Sequence, residues 1–200
     1  MIELNKERVA LLLQIARESI KEAVTGRKII DREKLLKAHP WLNEKGAVFV
    51  TLNKEHHLRG CIGSIIAHRS LLDDLIDNAK AAALRDPRFK PLQSEELNDI
   101  EIEISLLTPP KELYYKDIQD LKQKIRKGKD GVIINYRGYQ ATYLPSVWEQ
   151  LDSFESFFMT LCQKAGLPGN CLELHPTIYT YEAIKLKEDT SKGQNEKNNS

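Results

Sequence analysis

The strongest constraint on the fold is a stretch of seven residues in which apolar and polar side chains alternate. Residues 100–106 read Ile-Glu-Ile-Glu-Ile-Ser-Leu. This alternation is typical of an antiparallel sheet that has one face on the core and one polar face. Two other β-rich runs, Val48–Leu52 and a run that begins at Leu58, flank a polar turn and predict an antiparallel hairpin. These runs together predict a strand with one solvent-facing side and an antiparallel hairpin.

Helical patterns occur before, between and after these strands. Apolar residues recur at helical spacing after Asn5, after Ser70 and over residues 154–165. A second hairpin is predicted over residues 132–143, and a last strand over residues 177–184. Because helices and strands mix without strict β-α-β alternation, the predicted class is α+β.

Composition excludes several broad classes of protein. The 200 residues suit one domain or two joined lobes, and the net charge of +1 gives no global case for binding nucleic acid or an acidic membrane. No apolar run approaches the roughly 20 residues that span a bilayer. The N-terminus lacks a signal-peptide pattern, and three cysteines without paired spacing favour a reducing compartment. We therefore expect a cytoplasmic protein without a membrane or nucleic-acid partner.

The segment Leu58–Gly63, Leu-Arg-Gly-Cys-Ile-Gly, is the best candidate for a functional site. In an extended strand, Arg59, Cys61 and Gly63 share one face, and a nearby cation favours the nucleophilic thiolate. Gly60 and Gly63 weaken a strand unless something approaches the backbone closely. Cys61 and Arg59 are thus candidate catalytic residues, and the two glycines candidate ligand-binding residues. The alternative is that Cys61 is a small buried residue and that the glycines only shape a bulge.

Two charged residues extend this candidate site. Asp86 and Arg88 flank Pro87, where the helix that follows the cysteine strand stops. They are candidate ligand-binding residues beside Cys61, or else they only cap the helix and pair locally. The first alternative predicts that residues 58–63 border the largest pocket and that residues 86–89 lie on its rim.

Other motifs offer less. His56, His57, Cys61 and His68 lie close in sequence, but no zinc-like cysteine spacing occurs, so neither a metal nor a cofactor is predicted. Cys162 lies on an apolar helix face and is predicted to pack in the core, while Cys171 is left without a role. Phosphate-loop, dinucleotide-binding, zinc-protease and serine-hydrolase motifs do not occur.

The hexamer LRGCIG and the preceding GAVFVTL (residues 46–52) resemble the signature of the AMMECR-one domain family, known in prokaryotes as the A component of the AmmeMemoRadiSam system. Further motifs of that family follow in order: DPRF at 86–89, EISLL at 103–107, DGVII at 130–134, LPSVW at 144–148 and LCQKAGL at 161–167. The resemblance covers residues 5–186. It implies an α+β fold of two unequal lobes, with an antiparallel sheet, flanking helices and both termini in the larger lobe. Residues 187–200 are polar and predict a disordered tail.

The resemblance leaves the function open. Family members are often encoded beside, or fused to, a Memo-like protein and a radical-SAM protein, which implies these two as partners. They would be separate chains, because this sequence lacks the C-x-x-x-C-x-x-C spacing of a radical-SAM iron–sulfur cluster. Two hypotheses follow. The chain is an enzyme component with a small-ligand cleft walled by Arg59, Cys61, Asp86 and Arg88, or it is a non-catalytic module that docks a protein or peptide.

Overall fold

The structure is a computed structural model that describes residues 2–189. Its helices are α1 (Lys6–Thr25), α2 (Arg32–Ala38), α3 (Leu71–Leu84), α4 (Ile118–Lys124) and α5 (Phe154–Lys164). Its strands are β1 (Ala47–Lys54), β2 (His57–Gly63), β3 (Ile100–Leu107), β4 (Lys111–Glu112), β5 (Gly131–Tyr136), β6 (Tyr139–Tyr143), β7 (Thr177–Tyr181) and β8 (Ala183–Lys187). Short 3-10 helices occupy Pro40–Asn43, Ser94–Glu96, Pro145–Glu149 and Cys171–Leu174.

The first sheet has the strand order β2-β1-β3-β8. Strand β1 pairs antiparallel with both β2 and β3, which confirms the predicted hairpin and the strand predicted from the alternation. Its apolar face, which includes Val50, Leu52 and Ile102, belongs to one buried cluster with residues of α1 and α3 such as Leu12 and Leu72. Helices α1 and α3 therefore supply the cover that the alternating strand requires.

Local signals set the ends of these helices as predicted. The Asn5 side chain accepts a hydrogen bond from the backbone N–H of Arg8, and α1 ends at Gly26, whose φ is 70°. The Ser70 hydroxyl accepts from the backbone N–H of Asp73 at the start of α3. Both helices thus begin where a short polar side chain satisfies a backbone donor that has no partner within the helix.

The second sheet has the order β4-β7-β5-β6 and includes the predicted hairpin of β5 and β6. Its core residues Val132 and Ile134 cluster with aromatic side chains of α5 and with Trp148. The rings of Trp148 and Phe157 stack with their centroids 3.7 Å apart. The aromatic side chains of residues 148–158 therefore form the centre of a second hydrophobic core.

The last predicted strand, residues 177–184, is in fact two strands in different sheets, β7 and β8. The break falls at Glu182, whose backbone N–H donates to the Thr108 hydroxyl while its carbonyl accepts from the Thr108 N–H. These two hydrogen bonds use the groups that would otherwise continue the ladder. The β-rich composition of residues 177–184 did not reveal this change of sheet.

The described chain divides into two compact units. The larger unit contains residues 2–107 and 184–189, and the smaller unit contains residues 108–183. Helices and two antiparallel sheets together confirm the α+β class. None of the helices within residues 2–189 combines the length and the apolar composition that crossing a membrane requires.

Two further features differ from the sequence prediction. Residues 187–189 are predicted as the start of a disordered tail, but they belong to the fold. Lys187 ends β8, and the Glu188 carboxylate binds the Arg17 guanidinium. The rest of that predicted tail, residues 190–200, lies outside the described residues. Cys162 and Cys171 form a disulfide with a Cα–Cα distance of 5.8 Å, so the expectation of unpaired cysteines is wrong. The nine-residue separation does not match any familiar pattern, and the fold alone brings the two thiols together.

Candidate functional site

A β-bulge in the cysteine strand decides where Arg59 lies. The register of β1 and β2 pairs Leu52 with Gly60 but Asn53 with Leu58, which leaves Arg59 without an opposite residue. The Arg59 guanidinium donates two hydrogen bonds of 3.1 Å to the Glu96 carboxylate and one of 2.9 Å to the Lys90 carbonyl. The predicted cation beside the thiol is therefore engaged with a carboxylate instead. The catalytic role of Arg59 stays a prediction without a contact to support it.

The two glycines serve close packing. A Cβ on Gly60 would lie 2.1 Å from the backbone carbonyl oxygen of Ala82 in α3, and one on Gly63 would lie 2.2 Å from the ring of Phe49. Gly63 leaves no open space beside Cys61, because the Phe49 ring covers it. The close approach to the two glycines is thus made by protein groups, the Ala82 carbonyl and the Phe49 ring, and the register has a bulge at Arg59 beside them.

Cys61 belongs to a row of three polar side chains that crosses the first sheet. Thr51 lies opposite Cys61 on β2 and opposite Glu103 on β3. Because neighbouring residues such as Val50 and Ile104 face the core, this row lies on the other face of the sheet. The Cys61 Sγ and Thr51 Oγ1 atoms are 3.2 Å apart, and all three residues are half-buried. The row was not predicted as a unit, although the polar positions of the alternating pattern contain Glu103.

Burial controls the ionisation of Cys61. It raises the pKa of the thiol, because desolvation disfavours the thiolate, and the neighbouring charges of Asp86 and Glu103 act in the same direction. The hydrogen bond with Thr51 and the positive charge of Arg88 oppose this effect without overcoming it. Cys61 is therefore a neutral thiol at neutral pH. Arg88, rather than Arg59, is the cation that favours its thiolate.

Asp86 and Arg88 lie beside Cys61, as their position in the chain suggested. The buried Asp86 carboxylate accepts a 2.9 Å hydrogen bond from the backbone N–H of Cys61. Arg88 donates to the same carboxylate through Nε and Nη2, at 3.0 and 2.8 Å, and its Nη2 lies 3.4 Å from the Cys61 carbonyl oxygen. The hydrogen bonds from Arg88 hold the pKa of Asp86 well below its usual range, so the carboxylate is charged.

These contacts also protect an exposed sheet edge. Within residues 2–189, strand β2 is at the edge of its sheet and pairs only with β1. The Asp86 carboxylate binds the N–H of Cys61 and the Arg88 guanidinium approaches its C=O, in the places where a further strand would bind. The two predicted ligand-binding residues thus have a structural role at the edge of the sheet.

A buried polar network holds the chain where it leaves β2. The fully buried Asp74 carboxylate accepts from the Val48 N–H, the Ser64 hydroxyl and the Arg69 Nε, at 2.7 to 2.8 Å. Asn78 donates to the Val48 carbonyl at 3.1 Å and to the Ser64 hydroxyl at 3.2 Å. Sequence reasoning missed this network. The sequence feature that could have revealed the network is the pair Asp74 and Asn78, two polar residues four positions apart on the apolar face of α3.

The predicted pocket does not match the prominent cavities of the larger unit. One cavity of about 530 Å³ involves Arg17 and Glu188, and another of about 380 Å³ lies among α1, α2 and α3. Neither is lined by residues 58–63 or 86–89. Within residues 2–189, no group of three or more His, Cys, Asp or Glu side chains is placed to hold a metal ion. His56 is exposed in the turn of the first hairpin, and His57 is exposed at the start of β2.

The fold and the site define an α+β protein of two antiparallel sheets, with a glycine-containing cysteine strand packed against a helix and capped by an Asp-Arg pair. The AMMECR1 family model matches residues 13–186, and the chain belongs to this family. This confirms the resemblance seen in the sequence motifs.

Similar proteins from other organisms match nearly the whole chain. The chain is 36% identical over 192 residues to a protein of Methanothermobacter thermautotrophicus, covering 93% of this chain and 97% of that protein. It is 40% identical over 204 residues to Protein SSO0193 of Saccharolobus solfataricus, covering 96% and 86% of the two chains. The crystal structure of the uncharacterised protein PH0010 from Pyrococcus horikoshii matches with a TM-score of 0.81 and 33% identity, covering 95% of this chain and 96% of that one.

Proposed function

We propose that the protein binds a small ligand on the polar face of its first sheet, over the row Cys61, Thr51 and Glu103. The observation that carries this proposal is the alignment of a thiol, a hydroxyl and a carboxylate across three strands, half-buried on the face that does not form the core. Small-molecule sites place a few convergent polar groups among largely apolar walls that shield them from water. The row provides a weak donor, a group that both donates and accepts, and an anion.

The same geometry limits the chemistry of this site. Cys61 enters it as a neutral thiol, so any covalent step would need a base that removes the thiol proton. Glu103 is the carboxylate of the row, and it forms ion pairs with Lys187 at 3.4 Å and Lys185 at 4.0 Å. An enzyme component that uses Cys61 would therefore have to deprotonate the thiol during the reaction, because Cys61 is not a resting thiolate paired with Arg59.

The alternative function, a module that docks a protein or peptide, has less support at this strand. A partner strand could pair with β2 at Cys61 only by displacing Asp86 and Arg88 from its backbone groups. The Memo-like and radical-SAM partners, together with the cytoplasmic location, stay predictions that rest on the sequence.

Alkylation of Cys61 tests the proposed site, because this is the one free cysteine in a chain of three. We expect iodoacetamide to label Cys61 in the folded protein, with a rate that is still rising at pH values where an ordinary thiol is already deprotonated. Glu103→Gln should speed labelling at neutral pH, because it removes a negative charge that raises the pKa of the thiol. The matched control is Glu101→Gln, an exposed position two residues earlier on the same face of β3. It should leave the rate unchanged.

Two results would contradict the proposal. If Cys61 is labelled only on unfolding, the row is closed to small molecules. If Glu103→Gln and Glu101→Gln have the same labelling rate as the unsubstituted protein, Glu103 does not act together with the thiol.

A further inference from the structure

The smaller of the two cavities described above lies away from the cysteine strand, among the end of α1, the start of α2 and the exposed side of α3. Its volume of about 380 Å³ is within the range of small-molecule sites. Three cations, three carboxylates and two isoleucines line it. Charged residues of this kind also form ordinary surface ion-pair networks. The donor and acceptor atoms that make no hydrogen bond within the protein therefore decide what the cavity can bind.

The three cations of this cavity keep unused donors. Arg32 donates to Asp73 through Nε and Nη2, at 2.6 and 2.8 Å. Arg69 donates through Nε to Asp74 and through Nη1 to Asp77. Lys80 donates once, to Glu22 at 2.6 Å. Among the described residues, this leaves Nη1 of Arg32, Nη2 of Arg69 and two ammonium hydrogens of Lys80 without an acceptor.

The carboxylates are more fully used. Both oxygens of Glu22 accept hydrogen bonds, one from Lys80 and the other from the backbone N–H groups of Ile29 and Ile30. Both oxygens of Asp73 accept from Arg32. Asp77 accepts at Oδ2 alone, and its side chain is 57% exposed. The part of the chain that the structure describes therefore leaves one acceptor, Oδ1 of Asp77, beside several spare donors.

These spare groups specify a ligand with charges of both signs. The free donors of Arg32 and Lys80 suit a carboxylate, and the free oxygen of Asp77 suits an ammonium group. Ile30 and Ile76 add an apolar surface to the same cavity. We propose that this cavity binds a free α-amino acid with an aliphatic side chain.

In the larger cavity, of about 530 Å³, the protein itself uses the guanidinium nitrogens of the lining cation. Its one arginine, Arg17, donates through all three guanidinium nitrogens, to the Glu188 carboxylate and to the carbonyls of Leu97 and Ile100. Those bonds join α1 to β3 and to the end of β8. Arg17 therefore holds the fold together there, whereas the cations of the smaller cavity keep hydrogen-bond donors without a partner among the described residues.

Three probes of the same shape test the proposal by isothermal titration calorimetry at pH 7. L-Leucine carries both charges, 4-methylpentanoate carries only the carboxylate, and isopentylamine carries only the ammonium group. We expect leucine to bind saturably and each analogue to bind about tenfold more weakly or worse, because each loses charge-assisted hydrogen bonds. The backbone amide NMR signals of Ile30 and Lys80 should shift as leucine is added.

Variants at exposed positions assign the two charges. Arg32→Gln should weaken both leucine and 4-methylpentanoate, whereas Asp77→Asn should weaken leucine alone. Lys28→Gln, at an exposed cation outside the cavity, is the control and should change neither. The proposal is overturned if leucine does not bind, if it shifts amides elsewhere but not these two, or if 4-methylpentanoate binds as tightly as leucine.

Discussion

Substitution of Gly60 by alanine is the sharpest test of how the cysteine strand is held. The new Cβ would lie 2.1 Å from the Ala82 carbonyl oxygen, so β2 and α3 would have to separate by about 1.3 Å to reach an ordinary contact of 3.4 Å. Both groups are backbone, and neither can rotate away. We expect a loss of about 3 kcal/mol in the free energy of unfolding, at the upper end of the cost of overpacking.

Gly26→Ala provides the comparison. Gly26 has a φ of 70° and nothing within 4 Å of its would-be Cβ, so its substitution costs only backbone strain, about 1 kcal/mol. Urea denaturation followed by Trp41 fluorescence, in a Trp148→Phe background, reports on the larger unit. If Gly60→Ala costs no more than Gly26→Ala, close packing is not the reason for the glycine. A Gly60→Ala protein of unchanged stability that no longer binds ligand would favour the ligand-access role instead.

Three further predictions follow from charge and cross-linking. Asp86→Ala should destabilise the protein by about 2 kcal/mol in urea denaturation, because it leaves the Cys61 N–H and the Arg88 guanidinium without their acceptor; an unchanged midpoint would refute the cap. Salt-bridge hydrogen bonds, from Lys80 and Arg59 respectively, lower the pKa of Glu22 and Glu96 to about 2 from an ordinary 4.5. Their stabilisation is therefore complete above pH 4.5 and is lost as the pH falls towards 2, which acid titration of the unfolding midpoint would show; constant stability over that range would contradict it. Finally, Cys171→Ser should lower the free energy of unfolding of the smaller unit by about 2.5 kcal/mol, because it removes the short disulfide loop. Trp148 fluorescence should then report unfolding at a lower urea concentration. As the control, the substituted and unsubstituted proteins should be equally stable in dithiothreitol.

Local patterns were sufficient for much of the fold. The alternation over residues 100–106 identified β3, and β-rich runs around polar turns identified both hairpins, because side-chain periodicity depends only on backbone geometry. Asn5 and Ser70 marked helix starts because a capping side chain acts on residues two or three positions away. The same patterns failed at Glu182, where a partner 74 residues away ends one strand and sends the chain to another sheet.

The candidate site shows the same division. The sequence by itself marked Leu58–Gly63 and the Asp86–Arg88 segment as unusual, and the fold does bring Cys61, Asp86 and Arg88 together. Only the tertiary structure decided that a bulge directs Arg59 to Glu96, that Phe49 covers Gly63 and that Thr51 and Glu103 align with the thiol. It also decided that Cys61 is a neutral thiol and that Cys162 bonds to Cys171. Strand register, burial and contacts between distant residues set these properties, and none of them is contained in the spacing of residues along one strand.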